Sequence, residues 1–209
     1  MNPQLMAGIT DAERPRDVVN RRRHLPGESG IWIFILLDML IFAEMFGIFV
    51  WYRAENPELF GASQQAVKPV YGLIYTLLLL TSSWCVVLAV RGARRRLFDV
   101  SSKLVLWAFG LGAAFVAIKF VEYGAKLSNG ITPVTNDFFM FYFVLTLVHL
   151  LHACVGLGVL MYMRKQLKAL QHSREASERR MRMIETSGVY WHMVDLLWVV
   201  LFALFYLRG

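Results

Sequence analysis

The sequence is poor in the residues that build disulfide frameworks and thiolate metal sites. It contains two cysteines, Cys85 and Cys154, which fall inside apolar stretches with no paired spacing and no metal-type motif. We therefore expect two buried structural thiols rather than a disulfide. The chain also lacks internal repeats, low-complexity segments and any loop long enough to form a soluble domain.

A cleavable signal peptide is a second feature that the sequence lacks. Its first apolar run starts only near Gly30, exceeds 20 residues and is not followed by a small-residue cleavage site, so we expect this run to persist as a helix. The polar residues before it include the cluster Arg21, Arg22, Arg23 and His24. The sequence thus predicts a basic cytoplasmic tail over residues 1–29 and a membrane domain over residues 30–209.

Composition excludes an ordinary soluble core, because 57% of the residues are hydrophobic. A net charge of +7 would usually suggest nucleic acid as a partner. The positive residues, however, lie in short segments between apolar runs, where Lys and Arg orient a membrane protein. The charge pattern therefore predicts a membrane protein whose basic loops face lipid headgroups, and it predicts no nucleic acid as a partner.

Five apolar segments are each close to the ~20 residues that a helix needs to cross a ~30 Å hydrocarbon layer. Only a helix satisfies its own backbone hydrogen bonds there. The predicted fold is an all-α, polytopic bundle of five transmembrane helices. The predicted spans are Gly30 to Tyr52, Val70 to Val90, Lys103 to Leu127, Phe138 to Met163, and Thr186 to Leu207.

Loop charge predicts the orientation of the bundle. Nearly all Arg and Lys residues of the loops fall on one side, so the positive-inside rule places the N-terminus inside and the C-terminus outside. The segment from Arg164 to Glu185 is highly charged and is expected to be a helical extension or a solvated hairpin. Tyr206 is expected at the opposite interface. These features fit a multi-pass protein of the bacterial inner membrane.

Several ionisable residues lie inside the predicted spans. Such groups are costly in lipid and persist mainly when they face protein or water and pair with another group. Helical rise predicts one polar layer of Asp38, His152, His192 and Asp195, and a second one of Glu44, Lys119 and His149 near Glu122. Lys119, Glu122 and Lys126 have the spacing of a salt-bridged stripe. The predicted buried polar or interaction residues are Asp38, Glu44, Glu122, His149, His152, Glu185, His192 and Asp195.

Three interpretations of these residues remain open. In the first, His and carboxylate groups hydrogen-bond helix to helix and specify one bundle and one docking partner. In the second, they form a proton or ion path, although the helices lack paired Gly/Pro breaks and an evident inverted repeat. In the third, His149, His152 and His192 bind a metal or haem.

In chain order, five motifs resemble subunit III of the haem-copper oxidases, and in particular its short, five-helix relatives. Asp38 falls where the family usually has a buried Glu, and the Thr-Ser-Ser run after Tyr75 is similar to its Ser-Ser helix. Glu122-Tyr123 matches its Glu-Tyr pair. The other two motifs are Leu145-Thr146 through His149-Leu150-Leu151-His152, and Glu185 with Tyr190-Trp191-His192-Met193-Val194-Asp195.

The resemblance implies a subunit without catalytic residues, redox cofactors or metal of its own. It implies packing against the catalytic haem-copper subunit, where haem and copper are expected, together with bound phospholipid and a role in assembly, proton uptake and sustained turnover. The two N-terminal helices of the long family form are absent, and Glu44 stands where a small residue is usual. The segment His24-Leu25-Pro26-Gly27-Glu28 resembles the NorE-like branch, accessory proteins associated with nitric oxide reduction.

Overall fold

The computed structural model describes residues 29–171 and 178–207. These residues form six helices, five of which are long and apolar enough to cross a membrane, so the predicted all-α fold with five spans is confirmed. The helices are α1 (Ser29–Glu55), α2 (Pro57–Gln64), α3 (Pro69–Arg94), α4 (Phe98–Ser128), α5 (Asp137–Gln171) and α6 (Glu178–Tyr206).

The short helix α2 was not predicted from the sequence, where its residues read as a loop. It begins at Pro57, whose fixed φ suits the first helical position. Its buried Phe60 packs against Phe49 and Phe138. Gln64 donates its Nε2 hydrogens to the backbone carbonyls of Phe205 (3.3 Å) and Leu207 (2.8 Å). Helix α2 thus covers the end of the bundle at which α6 terminates.

Helix α6 lies at the centre of the bundle. Of its most apolar stretch, 56% of the residues are buried, against 17% for α1. The indole of Trp191 occupies the space between two glycines, because a Cβ at Gly112 or Gly156 would lie 2.8 Å from that ring. The two glycines therefore make room for a tryptophan of α6 between α4 and α5.

The charged segment between the last two spans is mostly helical. Helix α5 continues to Gln171 and α6 begins at Glu178, so the alternative of a helical extension is the right one for the described part. The basic tail before Ser29 and the end of the chain after Leu207 lie outside the described residues. The inside or outside placement of either terminus stays a prediction.

Two burial predictions are wrong. Both cysteines are free, as expected, but Cys154 is exposed on α5 and Cys85 is only half-buried. Glu44 is exposed on the outer face of α1 and contributes nothing to the interior of this chain. The reason is that α1 packs along one edge of the bundle, so most of its circumference has no neighbour.

Candidate functional site

One buried polar group is centred on an ion pair within α4. Lys119 is fully buried, and its Nζ donates to Glu122 Oε2 (2.8 Å) and to the hydroxyls of Tyr142 (2.9 Å) and Tyr206 (3.2 Å). The hydroxyls of Tyr75 and Tyr142 donate to Glu122 at 2.9 and 2.7 Å. The three ammonium hydrogens and both carboxylate oxygens therefore have partners on α3, α4, α5 and α6.

Aromatic rings enclose the same ammonium. The rings of five aromatic residues have their centroids 4.9 to 5.9 Å from Lys119 Nζ, in the range of cation–π attraction. They are Tyr75, Tyr123, Tyr142, Trp198 and Tyr206. Such a buried pair adds little net stability, but removing one partner leaves an uncompensated buried charge and is strongly destabilising.

The spacing of the predicted Lys119–Glu122–Lys126 stripe correctly indicated the ion pair but not its burial. Tyr142 and Tyr206 were missed altogether. Tyr206 was expected at the interface, yet it is 2% exposed because α2 covers the end of α6. A tyrosine near the end of a span gives no sequence signal that separates a membrane-interface position from a buried hydroxyl.

A second polar group joins α1 to α5. His152 Nδ1 lies 2.8 Å from the carbonyl oxygen of Val148, and its Nε2 lies 3.1 Å from Asp38 Oδ1. A carbonyl only accepts, so Nδ1 carries a hydrogen. The contact between Nε2 and Oδ1 then holds one further proton, either on the imidazole as an ion pair or on the carboxyl group as a neutral pair. The predicted proximity of Asp38 and His152 is thus confirmed.

Hydroxyl groups of α3 form hydrogen bonds with side chains of α6. Trp191 Nε1 donates to Ser82 Oγ (3.1 Å), which donates in turn to the carbonyl oxygen of Ala108 (2.9 Å). His192 Nδ1 lies 2.5 Å from Ser83 Oγ, and Trp198 Nε1 donates to Thr76 Oγ1 (3.1 Å). Three bonds of this kind set the rotation of α6 against α3.

Asp195 lies on the same face but forms no such bond. It is 5% exposed, and neither carboxyl oxygen has a hydrogen-bond partner. The nearby Ser83 hydroxyl is bonded to His192. An ionised carboxylate in this position would be costly, so Asp195 needs a proton or a partner beyond the described residues.

His149 is fully buried among aromatic rings. Its ring centroid is 5.4 Å from that of Trp198 and 5.8 Å from that of Phe115. Neither ring nitrogen has a hydrogen-bond partner among the described residues. The residues of the predicted second layer do not form one bonded group: Lys119 bonds to Glu122, and Glu44 is on the outer surface. His149 belongs to the packing of α4, α5 and α6.

Glu185 forms an ion pair at the opposite end of α6 from Tyr206. Its Oε1 accepts from Nε and Nη2 of Arg94, each at 2.9 Å, which joins the start of α6 to the last turn of α3. Arg94 is largely exposed, and exposed pairs contribute little to stability. The sequence indicated Glu185 as a polar site residue but gave no signal for Arg94 as its partner.

These polar groups remain separate. None of their hydrogen bonds, within residues 29–171 and 178–207, runs from one group to another. The same part of the chain contains no cluster of three or more His, Cys, Asp or Glu side chains placed to hold a metal ion. These groups hydrogen-bond specific helices to one another. The pair of Asp38 and His152 also holds one exchangeable proton.

The chain is similar to known subunits of haem-copper oxidases over most of its length. It is 26% identical to cytochrome bo(3) ubiquinol oxidase subunit 3 of Pseudomonas aeruginosa, covering 86% of this chain and 84% of that one. It is 29% identical to cytochrome c oxidase subunit 3 of Alkalihalophilus pseudofirmus, covering 98% of both. It is 25% identical to haem-copper oxidase subunit I+III of Aeropyrum pernix, covering 86% of this chain and 22% of that one.

The family model described as cytochrome c oxidase subunit III matches residues 25–209. That range contains all five membrane spans and every polar group described above. The chain therefore belongs to the cytochrome c oxidase subunit III family.

Proposed function

We propose that this chain is a non-redox accessory subunit of a respiratory haem-copper oxidase, supporting assembly and sustained turnover of a partner that carries the haem and copper. The observation that supports it most is the family match over residues 25–209. The relatives are named subunits of quinol and cytochrome c oxidases, which favours an inner-membrane respiratory complex. The polar groups within the bundle fit a structural role, because most of their donors and acceptors are occupied by bonds between helices.

The catalytic subunit is the partner that we propose. One relative bears the name subunit I+III and is matched over only 22% of its length. Its name combines the two subunits in one protein, which supports direct contact between their counterparts here. The phospholipid and the N-inside orientation predicted from the sequence belong to the same proposal.

Glu44 identifies the face of α1 that would meet this partner. It is the sixteenth of the 27 residues of α1, so it lies near the middle of the span. Its exposed neighbours on the helix face, Ile41 and Ile48, are apolar. A carboxyl group facing hydrocarbon at that depth is costly, whereas a donor on a partner helix would bond to it. We infer that this face of α1 is covered in the complex.

The test is recovery of the full chain from its native membrane. A tagged chain is isolated in mild detergent, and its visible spectrum is recorded alongside mass spectrometry of the proteins recovered with it. We expect haem absorbance and a haem-copper catalytic subunit. Glu44→Leu should lower the yield of that subunit severalfold, and the matched Ile48→Leu should not. A colourless, solitary chain would contradict the proposal.

A NorE-like role in nitric oxide reduction is the second candidate. It is favoured by the segment His24 to Glu28, which lies outside the described residues. The same purification distinguishes the branches, because the catalytic subunit recovered would reduce either oxygen or nitric oxide. The remaining alternative is an independent proton or ion transporter. It predicts flux from the chain reconstituted alone in vesicles, and a flat trace would exclude it.

A further inference from the structure

A cavity of about 190 Å³ opens between the ends of α3 and α4, on the side of the bundle that α2 covers. Its lining combines charged groups with apolar wall residues. We call it the Lys126 pocket. Among the residues that line it are Lys68, Tyr71, Ile118, Val121, Glu122 and Lys126.

The ammonium of Lys126 has no hydrogen bond within the described part of the chain. Its Nζ is 3.8 Å from Glu122 Oε1 and 5.0 Å from the ring centroid of Tyr142. That carboxylate is already engaged, since Lys119, Tyr75 and Tyr142 donate to its two oxygens. Lys126 is nevertheless buried, with only 8% of its surface exposed. Its ammonium therefore lies beside the cavity with no acceptor for its N–H groups among the described residues.

A second cation lies at the same pocket. Lys68, just before α3, is exposed and lines the same cavity as Lys126. Lys119 and Lys126 lie 2.8 and 3.8 Å from the carboxylate of Glu122. Lys68 adds a third positive charge at the pocket, so the three lysines exceed this one carboxylate by two charges. Such an excess in a partly desolvated cavity attracts an anion.

The walls of the pocket are suited to an acyl chain. Ile118 and Val121 form its α4 side, and Val121 is 71% exposed on the outer surface of the helix. Lys126 is two residues from the end of α4 at Ser128, so its ammonium lies at the depth of lipid headgroups. The pocket therefore presents cations at headgroup level and an apolar wall toward the middle of the membrane.

We propose that the Lys126 pocket binds the phosphate of an anionic phospholipid, with Lys126 and Lys68 as its cationic contacts and the α4 wall against an acyl chain. This inference deepens the phospholipid part of the proposed function by giving it a site. It does not need the partner subunit, so binding is measured on the isolated chain, and its failure would leave the partner proposal intact.

The experiment is native mass spectrometry of the full chain in detergent, titrated with phosphatidylglycerol or with phosphatidylcholine of the same acyl chains. We expect phosphatidylglycerol to bind more tightly. The double variant Lys68→Gln/Lys126→Gln should weaken phosphatidylglycerol binding by about thirtyfold. It should weaken phosphatidylcholine binding much less, because the choline cation offsets the charge of that lipid's phosphate. Lys103→Gln is the matched control, because Lys103 is exposed near the opposite end of the same helix.

A second variant tests the pocket without removing charge. Ala125 lines the cavity, so Ala125→Phe should fill it and weaken phosphatidylglycerol binding while both lysines remain. Ala125→Phe still tests binding at the pocket if the double lysine variant fails to fold. Equal binding of phosphatidylglycerol by wild type, Ala125→Phe and the lysine variant would overturn the proposal.

The other anions that fit the charge are distinguished by competition. Inorganic phosphate in excess should not displace phosphatidylglycerol, because it lacks the acyl chain. Full displacement would identify the occupant as a free anion and overturn the lipid assignment. Equal binding of both lipids, with Lys126 protected from amine labelling only in the complex, would point to an acidic side chain of the partner and would also overturn it.

Discussion

His152 Nε2 and Asp38 Oδ1, 3.1 Å apart, form the hydrogen-bonded pair that joins α1 to α5 among the described residues. The ion pairs described above lie within α4 or join α3 to α6. Helix α1 also has the smallest buried share of the five spans. The attachment of this helix in the isolated chain thus depends on one shared proton and a limited apolar contact.

Asp38→Ala should loosen α1. Interhelical polar contacts in membranes are worth about 0.6 to 1.7 kcal/mol, and here the imidazole would also lose its acceptor. We expect a loss of about 1 kcal/mol in detergent unfolding and faster hydrogen exchange in α1. Asp38→Asn should retain most of the stability, since its amide can donate to Nε2. Equal destabilisation by both variants would contradict the shared-proton arrangement.

Lys119→Met should be among the most damaging single substitutions in the chain. It strands the buried carboxylate of Glu122, and breaking a buried pair costs about 3–5 kcal/mol. The double variant Lys119→Met/Glu122→Gln removes the stranded charge and should recover part of that loss. Unfolding in detergent measures both. If the unfolding free energies lost in Lys119→Met and in Glu122→Gln simply add in the double variant, the two groups do not act as a pair.

The sequence predicted the five spans because ~20 apolar residues in a row permit only a helix. It predicted the contact of Asp38 with His152 because depth along two antiparallel spans follows from helical rise. Depth does not determine which way a side chain points. Glu44 and His149 therefore fell in the predicted second layer by depth, yet one faces outward and the other packs among aromatic rings.

Partners contributed by distant parts of the chain could not be predicted either. Tyr206 reaches Lys119 across 87 positions, and nothing in the local sequence distinguishes it from an interfacial tyrosine. Helix α2 is short and only moderately apolar, so it carries neither a span signal nor a clear amphipathic period. Its role depends on the side chain of Gln64 meeting the end of α6.

His149→Phe tests whether this histidine has a ligand role. Both ring nitrogens are buried, without a hydrogen-bond partner in the part of the chain that the structure describes. Replacing an unsatisfied polar group by an apolar one of similar shape is nearly neutral or stabilising. We therefore expect unchanged or slightly higher stability in detergent, and unchanged visible absorbance of the purified complex. Loss of a haem band in this variant, with the protein still folded, would instead support ligation by His149.

Gly156→Ala tests the seating of Trp191 between α4 and α5. The added methyl group would lie 2.8 Å from the indole, closer than packed carbon atoms approach, and the fully buried ring is held by its bond to Ser82. Overpacking of this kind costs about 1–3 kcal/mol.

Gly158→Ala is the matched control two residues along α5, where an added Cβ meets nothing within 4 Å. Because alanine has a better helix propensity than glycine, this variant should be neutral or slightly stabilising. Unfolding in detergent, followed by tryptophan fluorescence, should therefore separate the two variants by at least about 1 kcal/mol. Equal stability would mean that the indole can move away from Gly156, and that the close approach of α5 to α6 does not depend on a glycine there.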